Sequence, residues 1–115
     1  MLIVDDNDST REMLKISLER AGHQVLGEAE DGKSALKAFQ ELRPEVVLLD
    51  IIMPGISGIE VLGEMRRLSP DARIIMLTAV DQDHVTEELK RKGAAAIIFK
   101  PFSQNDLKRA FELLK

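Results

Sequence analysis

The chain of 115 residues contains no cysteine, tryptophan or tyrosine, and its only aromatic side chains besides two histidines are four phenylalanines. Without cysteine it can form no disulfide, no thiolate nucleophile and no cysteine-ligated zinc site. A chain of this length is about one domain long and can bury a core without such staples. We therefore expect a single domain over residues 1–115, compatible with a reducing cytoplasm.

The sequence also lacks a membrane-spanning run, a signal peptide and a strongly basic stretch. No apolar run approaches the roughly 20 residues needed to cross a bilayer, so we expect no membrane insertion. The amino terminus passes from a short apolar run directly into acids, which predicts no signal peptide. The net charge is −4 and no stretch is strongly basic, which argues against direct binding of nucleic acid.

The sequence does contain five short aliphatic runs, separated by segments with helical periodicity. These runs predict β-strands at Leu2–Val4, Gln24–Gly27, Val46–Leu49, Arg73–Leu77 and Ala96–Phe99. The third run is apolar throughout, as expected for a strand that helices cover on both faces.

Start and stop signals place five helices between and after these strands. The predicted helices are 8–21 followed by Gly22, one opened by Asp31 and closed before Pro44, one from Ser57 to Pro70, one ending at Gly93, and one capped by Ser103. Alternating strands and helices predict a doubly wound α/β fold with a five-stranded parallel sheet and helices on both faces. The chain ends with its last helix, so we expect no effector domain in it.

Chemically active residues follow four of the predicted strands. In a parallel α/β sheet, ligands bind beyond the carboxyl ends of the strands. The residues at those positions are Asp5-Asp6, Asp50, Thr78-Ala79 and Lys100-Pro101. If the first and third strands are neighbours, three carboxylates converge, and they repel one another unless a cation neutralises them.

The oxygen-only donor set favours Mg²⁺, for which Mn²⁺ can substitute. Lys100 would add a movable positive charge and Thr78 a hydroxyl donor, which together with the metal form a pocket suited to a phosphoryl group. Several of these residues, taken alone, also have a purely structural explanation. Asp6 or Asp8 could be a helix N-cap, Thr78 a turn hydroxyl and Lys100 a surface lysine. Asp50 has no such explanation, because a lone carboxylate at the end of an apolar strand would be partly desolvated.

The sequence resembles the receiver domains of two-component response regulators over essentially its whole length. The motifs that carry the resemblance are Ile3-Val4-Asp5-Asp6, Leu48-Leu49-Asp50-Ile51-Ile52-Met53-Pro54-Gly55, Gly58, Met76-Leu77-Thr78-Ala79, Gly93-Ala94 and Lys100-Pro101-Phe102. The resemblance implies a flavodoxin-like sheet with strand order 2-1-3-4-5. It also implies a phosphorylation-dependent signalling switch, active in chemotaxis or a related pathway.

The resemblance assigns a role to each site residue. Asp50 would accept the phosphoryl group from a sensor histidine kinase or a phosphotransfer protein. Asp5, Asp6 and Asp50 would hold Mg²⁺, with the backbone carbonyl of Ile52 as a further ligand. Lys100 would pair with the phosphoryl group, and Thr78 would bind it in the active state.

Supporting residues follow from the same resemblance. The small Ala79 would leave access to Asp50, and Pro101 would follow Lys100 through a cis peptide bond. The output surface would be the face of helix four, strand five and helix five, and it would contact a downstream protein. The protein itself would be a monomer or a weak dimer. Ile97 occupies a position that is usually aromatic in this family, so the resemblance does not extend to a switch by ring rotation.

Two alternatives of other classes stay open. The run Asp6-Asn7-Asp8-Ser9-Thr10 loosely matches the motif of aspartyl-phosphate phosphatases, which would make Asp6 the nucleophile. A receiver-like interaction module that is never phosphorylated is the second. Within the receiver interpretation, a chemotaxis regulator, a phosphorelay intermediate and a receiver cut from a longer protein are not separated. In each of these, the domain would catalyse only its own phosphorylation and dephosphorylation.

Overall fold

A computed structural model of the chain describes residues 1–79 and 83–114 and contains one five-stranded parallel sheet. The strands are β1 (Leu2–Val4), β2 (Gly27–Ala29), β3 (Val46–Asp50), β4 (Arg73–Thr78) and β5 (Ala96–Phe99). Their order in the sheet is β2-β1-β3-β4-β5, and every neighbouring pair is parallel. The predicted doubly wound fold and its strand order are confirmed.

Five helices alternate with the strands. They are α1 (Asp8–Arg20), α2 (Gly32–Leu42), α3 (Gly58–Leu68), α4 (Asp83–Arg91) and α5 (Gln104–Glu112). No helix among residues 1–79 and 83–114 is long and apolar enough to span a membrane.

Successive strand residues point to opposite faces of the sheet, which gives the domain two cores. The core beneath α2, α3 and α4 contains Leu2, Val4, Val47, Leu49, Ile74, Met76, Phe39, Leu62, Met65 and Leu89. The core beneath α1 and α5 contains Ile3, Leu48, Ile75, Leu77, Ile98, Leu14, Leu18, Leu107 and Ala110. Because the central strands supply both cores, their inner residues are all apolar. Because they are parallel, their carboxyl ends lie at one edge of the sheet.

The helix starts follow the capping signals in the sequence. Asp31, Ser57 and Ser103 each accept a hydrogen bond from the backbone N–H three residues further on, as predicted. The cap of α1 is Asn7, whose side chain accepts from the Thr10 N–H at 3.0 Å. Neither Asp6 nor Asp8 has this role, which frees Asp6 for the site.

The prediction of a strand at Gln24–Gly27 was wrong in its position: β2 is Gly27–Ala29, so it begins three residues later and ends two residues later. The apolar residues of that segment lie before the regular ladder: Val25 is half-buried against the α1–α5 core, and the Leu26 N–H donates to the Met1 carbonyl at 2.8 Å. Regular pairing begins where Gly27 lies beside Leu2. It then runs through the polar Glu28, because an edge strand is only partly covered.

Gly58 is required where α3 begins beneath the acidic site. Its N–H donates to the Ile51 carbonyl at 2.7 Å. A Cβ atom at this position would lie 2.1 Å from the Asp50 carbonyl oxygen and 2.6 Å from the Ile51 Cα. Any larger residue must therefore displace the backbone that carries Asp50.

We predict that Gly58→Ala lowers the free energy of unfolding by roughly 1–3 kcal/mol, the usual cost of overpacking a tight site. Gly63→Ala is the matched control, because it lies in the same helix and nothing lies within 4 Å of its added Cβ. There we expect a gain of up to about 1 kcal/mol from better helix propensity. Urea unfolding followed by circular dichroism measures both, and equal stability of the two variants would contradict the prediction.

Candidate functional site

Three aspartates meet at the carboxyl edge of the sheet. Carboxylate oxygens of Asp5, Asp6 and Asp50 all lie within 4.8 Å of one another. Asp5 directly follows β1 and is fully buried, and Asp50 is the last residue of β3 and almost fully buried. Asp6 is exposed, so the cluster opens to solvent on its side. The predicted convergence of these acids is confirmed.

Lys100 reaches this cluster from the far side of the sheet. Its Nζ donates to Asp5 Oδ2 at 2.8 Å and lies 3.3 Å from Asp50 Oδ2. Since β3 and β4 lie between β1 and β5, the lysine side chain crosses the ends of both to reach Asp5. The long flexible stem of lysine makes such a span possible.

The buried charges shift two pKa values. Burial raises the pKa of the Asp50 carboxyl, the charge of Asp5 raises it further, and Lys100 offsets part of the effect. Burial alone would lower the pKa of Lys100, but its bond to Asp5 and the charge of Asp50 outweigh that and raise it. The Lys100 side chain therefore keeps its positive charge, and the Asp50 carboxyl loses its proton less readily than that of an exposed aspartate.

Backbone N–H groups orient the two buried carboxylates. The Asn7 N–H donates to Asp5 Oδ1 at 2.9 Å, and the Ile52 N–H donates to Asp50 Oδ1 at 3.3 Å. The Ile52 side chain is 63% exposed, so this residue contacts Asp50 through its backbone while its side chain faces solvent. The predicted use of the Ile52 carbonyl as a ligand stays a prediction.

The remaining predicted residues surround the cluster. Thr78 is buried as the last residue of β4, one position later than the predicted strand end, and Ala79 follows it at the surface. The Lys100–Pro101 peptide bond is cis, as predicted. Ile97 lies on β5, half-buried against the core beneath α2, α3 and α4 rather than at the acidic cluster.

The sequence interpretation missed Arg11 as part of the site. Its Nη1 donates to the Asp5 carbonyl oxygen at 2.6 Å, and its guanidinium also forms ion pairs with Asp8 and Glu28. The Asp8–Arg11 spacing of three residues was the only readable signal, because i,i+3 pairs face each other on a helix. The contact with Glu28 depends on the position of β2, which was predicted incorrectly.

The residues of the cluster fit a hard divalent cation. The three carboxylates and the ammonium of Lys100 together leave two negative charges, which one divalent ion would neutralise. All donors are oxygens, and the exposure of Asp6 leaves room for the water ligands that Mg²⁺ retains. Asp5, Asp6 and Asp50 are thus the residues that could hold such an ion.

The chain belongs to the response regulator receiver domain family, whose model matches residues 1–112. Its sequence is 40% identical over 102 residues to the chemotaxis protein CheY of Thermotoga maritima, covering 89% of this chain and 85% of that relative. It is 35% identical over 115 residues to the response regulator GacA of Pseudomonas syringae, which covers 99% of this chain but 54% of GacA.

A solved structure gives the same result. The fold superposes with a TM-score of 0.95 on a chain of the CheX–CheY–BeF₃–Mg²⁺ complex of Borrelia burgdorferi, at 29% identity, covering 98% of this chain and 86% of that one. The predicted family is confirmed, and members of this family generally act as signalling switches rather than as enzymes.

We predict that Asp50→Asn stabilises the metal-free protein at neutral pH by on the order of 1 kcal/mol, a typical size for one substitution. Because the folded-state pKa of Asp50 is raised, its ionisation destabilises the fold at every pH above that pKa. The difference between variant and wild type should shrink as the pH falls through the folded-state pKa and vanish below the ordinary value of 3.8.

Thermal unfolding in EDTA at several pH values measures this difference. Asp71→Asn, which removes an exposed acid far from the cluster, is the matched control for net charge. A metal-free Asp50→Asn protein that is less stable than wild type at neutral pH would show that the ion pair with Lys100 outweighs burial.

Proposed function

We propose that the chain is a phosphorylation-dependent switch that accepts a phosphoryl group on Asp50 in the presence of Mg²⁺. The observation that carries the proposal is the burial of Asp50 at the strand ends, 3.3 Å from the Lys100 ammonium and beside two further acids. The ionised carboxylate of Asp50 does not stabilise the fold in this setting, as its raised pKa indicates. Such unfavourable placements are typical of functional groups.

Asp50 is a better nucleophile candidate than Asp6. The Lys100 ammonium lies against Asp50, where it would neutralise charge on an incoming phosphoryl group, whereas Asp6 is exposed. The phosphatase alternative requires a positive charge and an enclosed pocket around Asp6. The contacts of Lys100 therefore favour a receiver over that alternative.

Phosphoryl transfer depends mainly on alignment and on neutralisation of charge. An Asp50 oxygen attacks phosphorus, the bond from phosphorus to the donor breaks, and the donor atom leaves with its electron pair. Lys100 would turn from Asp50 towards a phosphoryl oxygen while keeping its bond to Asp5. A Mg²⁺ ion held by Asp5, Asp6 and Asp50, with the Ile52 carbonyl, would supply the remaining positive charge.

The new phosphoryl group would then act on neighbouring segments. It adds negative charge and acceptor oxygens beside Thr78, whose hydroxyl would donate to it, with the small Ala79 giving it room. Because Thr78 pairs with Phe99 of the neighbouring strand β5, a displacement of Thr78 and Ala79 would change the face formed by α4, β5 and α5. Ile97 stands where an aromatic residue is usual in this family. Its aliphatic side chain would respond by repacking in the core, because it has no ring that could rotate to the surface.

The phosphodonor would be a sensor histidine kinase or a phosphotransfer protein, and the output would be a protein bound at the α4–β5–α5 face. The Borrelia relative is itself in a complex with CheX, which supports signalling by contact between proteins. The domain would catalyse only its own phosphorylation and dephosphorylation. A chemotaxis regulator and the receiver of a longer regulator remain equally consistent with this site, as the similarity to both CheY and GacA indicates.

We expect the protein to gain the mass of one phosphoryl group when incubated with acetyl phosphate and Mg²⁺. Asp50→Asn and a wild-type sample in EDTA should gain nothing, and intact-mass spectrometry measures all three. No gain under any condition would favour an interaction module that is never phosphorylated. A gain that survives Asp50→Asn but is lost in Asp6→Asn would move the nucleophile to Asp6.

We further predict that Lys100→Met binds Mg²⁺ more tightly than wild type but is phosphorylated more slowly. The lysine competes with a cation for Asp5 and Asp50, so its removal should favour metal binding while removing a charge that the transfer needs. Calorimetric titration with Mg²⁺ and the rate of mass gain give the two quantities. Weaker Mg²⁺ binding by Lys100→Met would contradict the proposed competition.

A further inference from the structure

Arg11 occupies an unusual position for an arginine on the first turn of a helix. Its side chain is only 14% exposed and points back under the loop that carries Asp5 and Asp6. An arginine has five N–H donors in a rigid planar fork, so it can bind several groups in fixed geometry. Here the fork contacts one backbone carbonyl and two carboxylates.

The carbonyl that Arg11 binds is that of Asp5, at 2.6 Å from Nη1. This oxygen belongs to the peptide group that joins Asp5 to Asp6, and its hydrogen bond therefore fixes the plane of that peptide. The orientation of this plane determines where the Asp6 Cα lies and in which direction its carboxylate leaves the backbone. Asp5 has further restraints from burial, Asn7 and Lys100, whereas Asp6 is exposed.

Arg11 is itself held at two sides. Its guanidinium forms an ion pair with Asp8, three residues earlier on α1, and a second, at 3.4 Å, with Glu28 of β2. The Asp5 N–H also bonds to β2, donating to the Ala29 carbonyl at 3.1 Å. The loop after β1 is thus fastened to the edge strand by its backbone on one side and by Arg11 on the other.

We propose that Arg11 is a positioning residue for the divalent metal, which sets the Asp5–Asp6 peptide so that the Asp6 carboxylate faces the other two acids. This inference rests on the proposed metal site at Asp5, Asp6 and Asp50. Arg11 does not touch the metal; it acts through the carbonyl of Asp5.

A positive charge near a cation site has a second, opposite effect. If the charge of Arg11 mattered most, its removal would strengthen metal binding by relieving repulsion. If its hydrogen bond to the Asp5 carbonyl matters most, removal weakens binding. Asp8 and Glu28 already neutralise the guanidinium, so positioning outweighs repulsion.

Binding of Mn²⁺ to the full chain tests the inference, since the electron paramagnetic resonance signal of free Mn²⁺ reports affinity without any phosphorylation. Arg11→Ala should bind Mn²⁺ about tenfold more weakly than wild type, the scale seen when a residue that orients a metal ligand is lost. Arg11→Lys keeps the charge but loses the fork, and should also bind more weakly. Arg20→Ala, an exposed arginine of the same helix, is the control and should bind like wild type.

Circular dichroism in EDTA checks that each variant is folded, and Arg11→Lys carries the test if Arg11→Ala is not. In the metal-free Lys variant, the amide signals of Asp6 and Asn7 should shift in nitrogen–proton correlation spectra. Affinity of Arg11→Ala or Arg11→Lys equal to or tighter than wild type would overturn the inference alone. Failure of the wild-type protein to bind Mn²⁺ would instead overturn the proposed metal site, and the inference with it.

Discussion

The burial of two like-charged carboxylates side by side is the constraint on which the rest of the site depends. Asp5 directly follows β1 and Asp50 ends the neighbouring strand β3; helices cover both faces of these strands, so neither carboxylate can turn fully to water. Without a nearby positive charge, carboxylates in such a position would become protonated or would destabilise the carboxyl ends of β1 and β3. Lys100 balances them from the end of β5, and a divalent ion would complete the balance. The chemistry thus follows from charges that the fold cannot neutralise by itself.

The core and the site share the same backbone. Asp50 and Thr78 are the last residues of β3 and β4, each follows a fully buried leucine, and they pair in the ladder with Leu77 and Phe99 respectively. Gly58 lies so close to the carbonyl of Asp50 that an added Cβ would be 2.1 Å from its oxygen, so the start of α3 packs directly against that peptide. Packing therefore sets the position of the Asp50 carboxylate, while the groups proposed to respond to phosphorylation, Thr78 and Lys100, lie at or just after strand ends.

The sequence predicted the fold and most of the site because both depend on local signals and one topological rule. Asp5, Asp50 and Lys100 each follow or end an apolar run, and parallel strands bring such ends together. The errors arose where distant contacts decide. The edge strand β2 is polar and short, so the strand was predicted at the apolar residues that precede it. The role of Arg11 was missed because its contact with Glu28 depends on where β2 lies.

The edges of the sheet also bear on how crowded copies of the protein would behave. The outer strands β2 and β5 have only three and four residues, while the inner strands β1, β3 and β4 have three, five and six. Short outer strands offer a second chain few backbone groups to pair with, and Glu28 adds a charge at one of them. Association of two copies through the edges of their sheets is thereby discouraged, so the outer strands can stay uncovered by another chain.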